Sequence, residues 1–560
     1  MTGEPHRTRS MMIDISIIIA LTVAFYATRV TDLTVRGEES RWASVAQEMR
    51  RGGDWIVPRQ QGQPFLSRPP MGSWLIALAS AARGECDLIA VRLPTILAVL
   101  GTALLIYGYA RSFLSRVGAL AAGVAFPCLP EILQMGRVAE SDAVFAFFLG
   151  GACLVWHWGW SRAWPRAATW GLSYALLALA TLTKGPQAPV TFFAAVGLFL
   201  LLTRQIVALL TRAHAAGLVG YVVIVGAWLV PCYLTVGSVG TWQILAGDSA
   251  GRFVGWKWLP VLEHLVRYPI EATGCTAPWS FLLLAIASRR FWATLEQARS
   301  RVVFLLLCAV VGFVPCWITP GGQTRYLMPL YPCVAVLAGV VIDRAGTAGF
   351  TAWLRVAFAG ARWLVTANML GVAVALAWLT WGAEGAEARV WKQPIGFMVA
   401  FIVVALIAIV LNVGYGPFGR SRVHPAGLVA VAGFVGLMYS GPVVSRLAAR
   451  STHAEAAVAE LKQNLPGNVR LMSLGPVHHK FLYLNGNVIT PIPAATPEQV
   501  PPGGYFCYDC WSAARCPLPF SYEELAVVNM DRLDSGRPQV QVIVARRLGN
   551  SRTGMQVTQK

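Results

Sequence analysis

The segment Arg36-Gly-Glu-Glu-Ser-Arg-Trp-Ala-Ser-Val-Ala-Gln-Glu-Met49 follows directly on the first long apolar run of the chain, with Gly53-Asp-Trp-Ile-Val-Pro58 and Ser67-Arg-Pro-Pro70 close behind it. An acidic pair and several arginines are thereby set at a membrane surface, where a lipid phosphate and a water-borne group can meet. From Glu39 onward Trp42, Val45, Ala46 and Met49 recur at helical spacing, with Arg41, Ser44, Gln47 and Glu48 on the other sides. The segment therefore reads either as a helix lying on the interface or as an ordinary solvated loop helix.

The rest of the chain decides the class. Its 560 residues are 56% hydrophobic and 13% charged, with a mean hydropathy of +0.55. That leaves too little polar surface for a soluble globule of this size, so the chain reads as a polytopic membrane protein. The net charge of +19 is dispersed between apolar runs, and no nucleic-acid motif is present; the basic residues belong to a membrane and not to a nucleic-acid partner. Met1 to Ser10 is basic, and the run behind it continues to about Ala27 without a small-residue cleavage site, which describes a retained first span and not a signal peptide.

Windows of about 17 to 25 apolar residues place helices near 11–30, 88–110, 117–134, 143–161, 167–183, 187–203, 215–236, 271–288, 302–318, 326–343, 363–381, 395–413 and 426–447. The expectation is an all-α bundle of about thirteen spans over residues 1–450, with an outer loop at about 31–87. Arg7 and Arg9, Arg111 and Arg116, Arg162 and Arg166, Arg204 and Arg212, Arg289 through Arg301, Arg344 and Arg355, and Arg420 and Arg422 fall in alternate connections. An excess of arginine in cytoplasmic loops puts the N-terminus in the cytoplasm, and an odd number of spans puts the C-terminus outside.

After Arg450 the composition becomes that of a water-soluble module, 451–560, expected to be a small α/β domain. Residues 452–465 and 522–530 read as helices, 468–474 and 540–546 as strands, with turns such as Pro501-Pro-Gly-Gly504 between them. Cys507, Cys510 and Cys516 fall together there, and in an oxidising compartment a disulfide within the trio is expected. Zinc would need a fourth ligand, for which His478 and His479 have no spacing argument. No internal repeat is apparent, which argues against a transporter built from duplicated halves.

Ionisable groups at the outer ends of spans are functional candidates because they are costly there. Besides Glu38 and Glu39 these include Gly136-Arg-Val-Ala-Glu-Ser-Asp142, with Arg137, Glu140 and Asp142, then Lys184, Arg252, Arg267 and Arg325. An acid can take a proton from an acceptor hydroxyl or orient an acceptor phosphate or amine. Arginine and lysine can neutralise the charge growing on a departing phosphate, and Arg68, ahead of the rigid Pro69-Pro70, suits that task. Plainer readings stand beside these. Arg36, Arg41, Arg50, Arg51 and Arg59 can bind headgroups; Glu48, Asp54 and Lys184 can serve helix ends; Glu131 and Glu271 read as structural.

At these residues the chain resembles the GT-C glycosyltransferases of the protein O-mannosyltransferase type, and within them the bacterial aminoarabinose transferase branch that modifies lipid A. The resemblance rests on Glu38-Glu-Ser-Arg-Trp-Ala43, Gly53-Asp-Trp-Ile-Val-Pro58, Ser67-Arg-Pro-Pro70, Asp142, Thr183-Lys-Gly185 and Arg325-Tyr-Leu-Met-Pro329. It implies an inverting transfer of a sugar from a polyprenyl-phosphate donor at the periplasmic face of the bacterial inner membrane. By position, the family's leading Asp falls on Glu38, its adjoining Glu on Glu39, its arginine on Arg41, its tyrosine on Trp42 and its phosphate-contacting lysine on Arg68. Glu for Asp adds one methylene, so either the geometry adjusts or the role moves to Glu39. Arg for Lys keeps the cation and adds bidentate recognition. Ser67 in place of Glu, and Trp42 in place of Tyr, imply altered acceptor or sugar contacts.

The expected roles are Glu38, Asp142 and Glu39 as catalytic acids; Arg68, Lys184, Arg325 and Arg41 toward the donor phosphate; and Trp42, Arg137, Arg252 and Arg267 toward sugar or acceptor. The acceptor is a lipid A-like glycolipid, another envelope glycan or a protein side chain. Some of the wider class use a divalent metal; two acids facing several cations require none, and no metal ligands are assigned. The rival readings are a lipid or solute transporter, which would need polar groups near the bilayer midplane, and a non-catalytic envelope scaffold on the same fold.

Overall fold

The computed structural model describes residues 3–247, 258–319, 321–347, 352–382, 391–414, 425–449, 454–466, 469–511, 517–530 and 540–549. The chain divides into two compact units: Met1–Val30, Ser67–Met71 and Arg92–Arg446 form one, and Thr31–Leu66, Gly72–Val91 and Leu447–Lys560 form the other.

The first unit is an all-α bundle. Among the described residues, Thr8–Ala27, Leu88–Arg111, Ser141–Ser161, Arg212–Leu245, Glu296–Ile318, Thr324–Ala345 and Pro425–Ala449 are long and apolar enough to cross a membrane. Arg116–Cys128, Gln187–Leu202, Val365–Trp381 and Ile395–Leu411 are shorter apolar helices. A helix occupies every window marked in the sequence, and the chain is a multi-pass membrane protein. Two windows differ from the straight spans expected. The window at 271–288 holds parts of two helices, Trp258–Cys275 and Trp279–Ala287, bent by 102°. Pro278 explains the break, because it has no amide hydrogen and disfavours helical backbone at the residue before it. The window at 117–134 is divided by Pro127 and Pro130 into Arg116–Ala125 and Pro130–Met135.

Burial within this bundle forces its polar groups to find partners. The Asp14 carboxylate, fully buried in the first helix, accepts from Arg116 Nη2 at 2.8 Å and from Tyr107 Oη at 3.0 Å. Asp343 Oδ1 accepts the Ser115 amide at 3.0 Å. These ties join the first helix to the second and third spans, and the third to the tenth.

In the second unit, helix α1 (Glu39–Gly52) lies with the C-terminal module. There the described residues form a five-stranded sheet of β1 (Met472–Leu474), β2 (Thr490–Ile492), β3 (Tyr505–Cys510), β4 (Tyr522–Asn529) and β5 (Gln541–Arg547), in the order β2-β1-β3-β5-β4. β1 runs parallel to β2 and β3, and β5 antiparallel to β3 and β4. Helices Ala454–Asn464 and α2 (His479–Asn485) complete the α/β domain.

Residues 522–530 are thus a strand and not the expected helix. Glu523-Glu-Leu-Ala526 favours a helix locally, but the segment pairs with β5 from Tyr522↔Arg547 to Asn529↔Gln541, and cross-strand pairing overrides local preference. The disulfide expectation changes too. Cys507 is a free thiol packed among Val458, Phe481 and Val542, whereas Cys510 packs with Val500, Tyr508 and Ile543. Three residues apart on one strand, their side chains point to opposite faces, so they cannot bond each other; Cys516 lies outside the described residues.

Candidate active site

The helix Arg166–Lys184 stops where Gly185 turns to a φ of +82°. The Gly185 amide donates back to the Thr181 carbonyl at 2.7 Å, and a Cβ at this glycine would lie 2.6 Å from the Leu245 carbonyl oxygen. Only glycine suits that corner, and the sharp stop leaves Lys184 in the last helical turn. Its ammonium donates to Asp142 Oδ1, with both side chains almost wholly buried at 3% and 4% exposure. The Phe145 and Tyr326 rings lie 5.4 Å and 5.5 Å from the Lys184 nitrogen, close enough for cation–π attraction.

A second pair stands beside the first. Arg325, in the tight turn Thr324–Leu330, has Nη1 3.4 Å from Glu140 Oε1 and its guanidinium 5.8 Å from the Tyr326 ring. Asp142 interacts electrostatically with Arg325, and Lys184 with both Arg68 and Arg325. Glu131 joins the same network: its Oε2 accepts from Thr324 Oγ1 at 3.2 Å and from Cys275 Sγ at 3.0 Å, and it interacts with Asp142 and Arg325. Three of the expected phosphate ligands, Arg68, Lys184 and Arg325, are therefore brought together with Asp142 from segments far apart in the chain. Glu131, which read as structural in the sequence, belongs with them; its place beside Pro130 held no signal of this.

Burying such pairs brings little net stability, since desolvation offsets most of the attraction. Charges retained at that cost in a membrane protein point to use. The arrangement offers three cations to an incoming phosphate, and two of them, Lys184 and Arg325, now face a carboxylate that the phosphate can replace as partner.

In the second unit the acidic pair divides. Glu39 is fully buried, and its Oε2 accepts the Arg36 amide at 3.1 Å, closing the N-terminal turn of α1. Glu38 stands at the helix start with its side chain 29% exposed, 2.5 Å from Arg41 Nη1. The accessible carboxylate is Glu38, and Glu39 is held to the backbone. Arg41 also lies over the Phe65 ring at 5.8 Å, and Trp42 meets that ring edge-on at 5.9 Å, so Trp42 is a packing residue of this unit.

Arg137 and Arg267 are engaged with other partners. Arg137 donates to the Phe25 carbonyl and sits between the Tyr26 and Tyr439 rings, each 5.7 Å away; it clasps the first and last spans. Arg267, two-thirds exposed, pairs along its own helix with Glu263 and Glu271. Arg252 lies outside the described residues. Among the described residues no group of three or more His, Cys, Asp or Glu side chains is arranged to hold a metal ion.

Residues 67–230 match the family model described as dolichyl-phosphate-mannose-protein mannosyltransferase. The structure of ArnT from Cupriavidus metallidurans in the apo state superposes with a TM-score of 0.68 at 16% identity, covering 96% of this chain and 98% of that one. The fold is that of the GT-C glycosyltransferases. The same GT-C protein bound to undecaprenyl phosphate gives a TM-score of 0.69 over 95% and 97% of the two chains, again at 16% identity. Among curated GT-C relatives, an undecaprenyl phosphate-alpha-4-amino-4-deoxy-L-arabinose arabinosyl transferase of Pseudomonas aeruginosa is 29% identical over 324 residues, 54% of each chain. A protein of the same name from Edwardsiella ictaluri is 25% identical over 330 residues, 55% of each. The chain spans about half the length of these curated relatives in the alignments. The matched segment contains Ser67-Arg-Pro-Pro70, Asp142 and Thr183-Lys-Gly185, and over those residues it agrees with the resemblance.

Proposed function

We propose that this protein is an inner-membrane glycosyltransferase that moves a sugar from a polyprenyl-phosphate carrier to an acceptor at the periplasmic face, the N-terminus lying in the cytoplasm and the C-terminal domain in the periplasm. The observation that carries this reading is the buried Asp142–Lys184 pair with Arg325 and Arg68 beside it. Cations gathered from separated segments suit a phosphate that gains charge as it leaves. The names of the relatives supply the chemical class of that phosphate, undecaprenyl phosphate.

In the reaction an acceptor oxygen attacks the anomeric carbon, and the bond from that carbon to the phosphate oxygen breaks with its electron pair passing to the polyprenyl phosphate. Lys184, Arg325 and Arg68 stabilise the developing charge. Asp142 is the counter-ion that keeps Lys184 charged and aimed until the phosphate arrives. Glu38 takes the proton of an acceptor hydroxyl or, for an acceptor phosphate, orients the attacking group. The acceptor is a glycolipid of the lipid A kind.

Purified protein in liposomes, given radiolabelled undecaprenyl-phosphate sugars and lipid A, should transfer label. Glu38→Gln and Lys184→Met should each lower turnover by at least about 100-fold, the size of loss seen when one stabilising donor is removed. Full activity in both variants would remove the role assignment. Envelope glycolipids compared by mass spectrometry in cells with and without the gene would identify the product, and an unchanged envelope would refute the reading.

A further inference from the structure

The role of the C-terminal domain follows from what α1 touches. Ser40, Gln47 and Arg51 recur at intervals of seven and four residues, so at about 100° per residue they fall on one line along the helix within about 40°. Each bonds to α2 or to the loop that ends it. Ser40 Oγ and His479 Nδ1 share a hydrogen bond of 2.7 Å, Gln47 Nε2 donates to the Tyr483 carbonyl at 3.5 Å, and Arg51 donates to the Gly486 carbonyl. A second wall meets the adjoining side. Glu48 Oε1 and Oε2 accept the Gln61 and Gly62 amides at 2.5 Å and 3.0 Å. Gln61 in turn donates to Ser473 Oγ at 2.8 Å and accepts the Val477 amide at 3.0 Å.

The bond nearest the functional end of the helix is the one to His479. Ser40 is two residues beyond Glu38 in the first turn, while Gln47 and Arg51 hold the far end. The imidazole is buried and stacked on His478 at 4.3 Å between ring centres, and the His478 amide is fixed by Asp509 Oδ1 at 3.0 Å. His479 therefore presents a rigid polar atom to the helix start.

We infer that the C-terminal domain is the seat of the acid helix and that His479 is its positioning residue, setting where the Glu38 carboxylate is held. The inference rests on the reading of Glu38 as the reacting acid. Losing this one bond should let the first turn of α1 drift while the far end stays docked. A displacement of about 1 Å at a reacting group can cost about 100-fold in rate.

The test uses the full-length protein carrying His479→Ala, Ser40→Ala, both together, and His479→Asn, whose amide can replace the Nδ1 contact. Turnover is read as undecaprenyl-phosphate sugar consumed with lipid A, and amide hydrogen exchange at residues 39–42 and 472–474 is read without substrate. His479→Ala and Ser40→Ala should each cut turnover about 10- to 100-fold, the double variant should be no worse, and His479→Asn should recover most of it. Exchange at 39–42 should quicken in His479→Ala while 472–474 stays protected. Unchanged exchange at 39–42 would overturn the inference, as would loss of protection at 472–474 together with it, because the residue would then only stabilise the domain. Normal turnover in His479→Ala beside an inactive Glu38→Gln would also overturn it. An active Glu38→Gln would instead remove the reading of Glu38.

Discussion

Two of the acid–cation pairs among the described residues contrast in construction. Glu38 and Arg41 are three residues apart and each more than a quarter exposed. Asp142 and Lys184 are 42 residues apart and buried to within 4%. The first pair is adjustable and loosely bound, because water screens it and both side chains lose rotational freedom to form it. The second is held by surrounding structure in a place where neither charge can stand alone. The proposed transfer would use both kinds of group: a carboxylate that can meet a changing partner, and cations set in place before the phosphate arrives.

The contrast is sharpest in what substitution should do to stability. Asp142→Ala strands the Lys184 ammonium in the interior and should cost about 3 to 5 kcal/mol, read as a lower melting temperature of the detergent-solubilised protein. The double variant Asp142→Leu with Lys184→Met should recover most of that loss and still transfer no sugar. Transfer by the double variant would show that the buried pair is structural, and the comparison would collapse.

A smaller effect is expected in the C-terminal domain, where pH is the lever. Burial raises the Asp509 carboxyl to about 6, partly opposed by the amide of His478. Its unfolded value is about 3.9, so between these two values the unfolded chain binds fewer protons than the folded one, and stability falls as pH rises through that window. Asp509→Asn keeps an acceptor for the His478 amide and removes the charge. At pH 7 it should be more stable than the parent by up to about 3 kcal/mol, at 1.36 kcal/mol per pH unit, and the advantage should vanish near pH 4. Melting curves of both proteins across that range decide it, and parallel curves would refute it.

Least is expected from the exposed pair. Arg41→Ala should change the melting temperature by an amount equivalent to no more than about 1 kcal/mol. A larger loss would make Glu38–Arg41 a structural element like its buried counterpart.

Much of this architecture was legible in one sequence because membrane helices announce themselves: apolar runs of the right length held helices in every window. Prolines at 127, 130 and 278 marked the breaks, but they are tolerated in membrane helices often enough that the sequence alone did not show which would break one. In the C-terminal domain the helix at 454–464 was legible and the strand at 522–529 was not, since its partner β5 decides it. Asp142, Lys184 and Arg325 were legible as singly placed charges at span ends; their pairing was not, because pairing is a property of packing. The choice between Glu38 and Glu39 lay beyond the sequence too, as it depends on Glu39 turning back to the Arg36 amide.

The bond between Ser40 and His479 joins residues 439 positions apart. During synthesis α1 emerges long before α2, the surface it rests on. Its final seating therefore waits until the whole bundle has been threaded into the bilayer, and a chain halted anywhere before α2 carries its acidic residue on a helix with nowhere to settle. Assembly itself thus acts as a safeguard, withholding a seated α1 from every incomplete product.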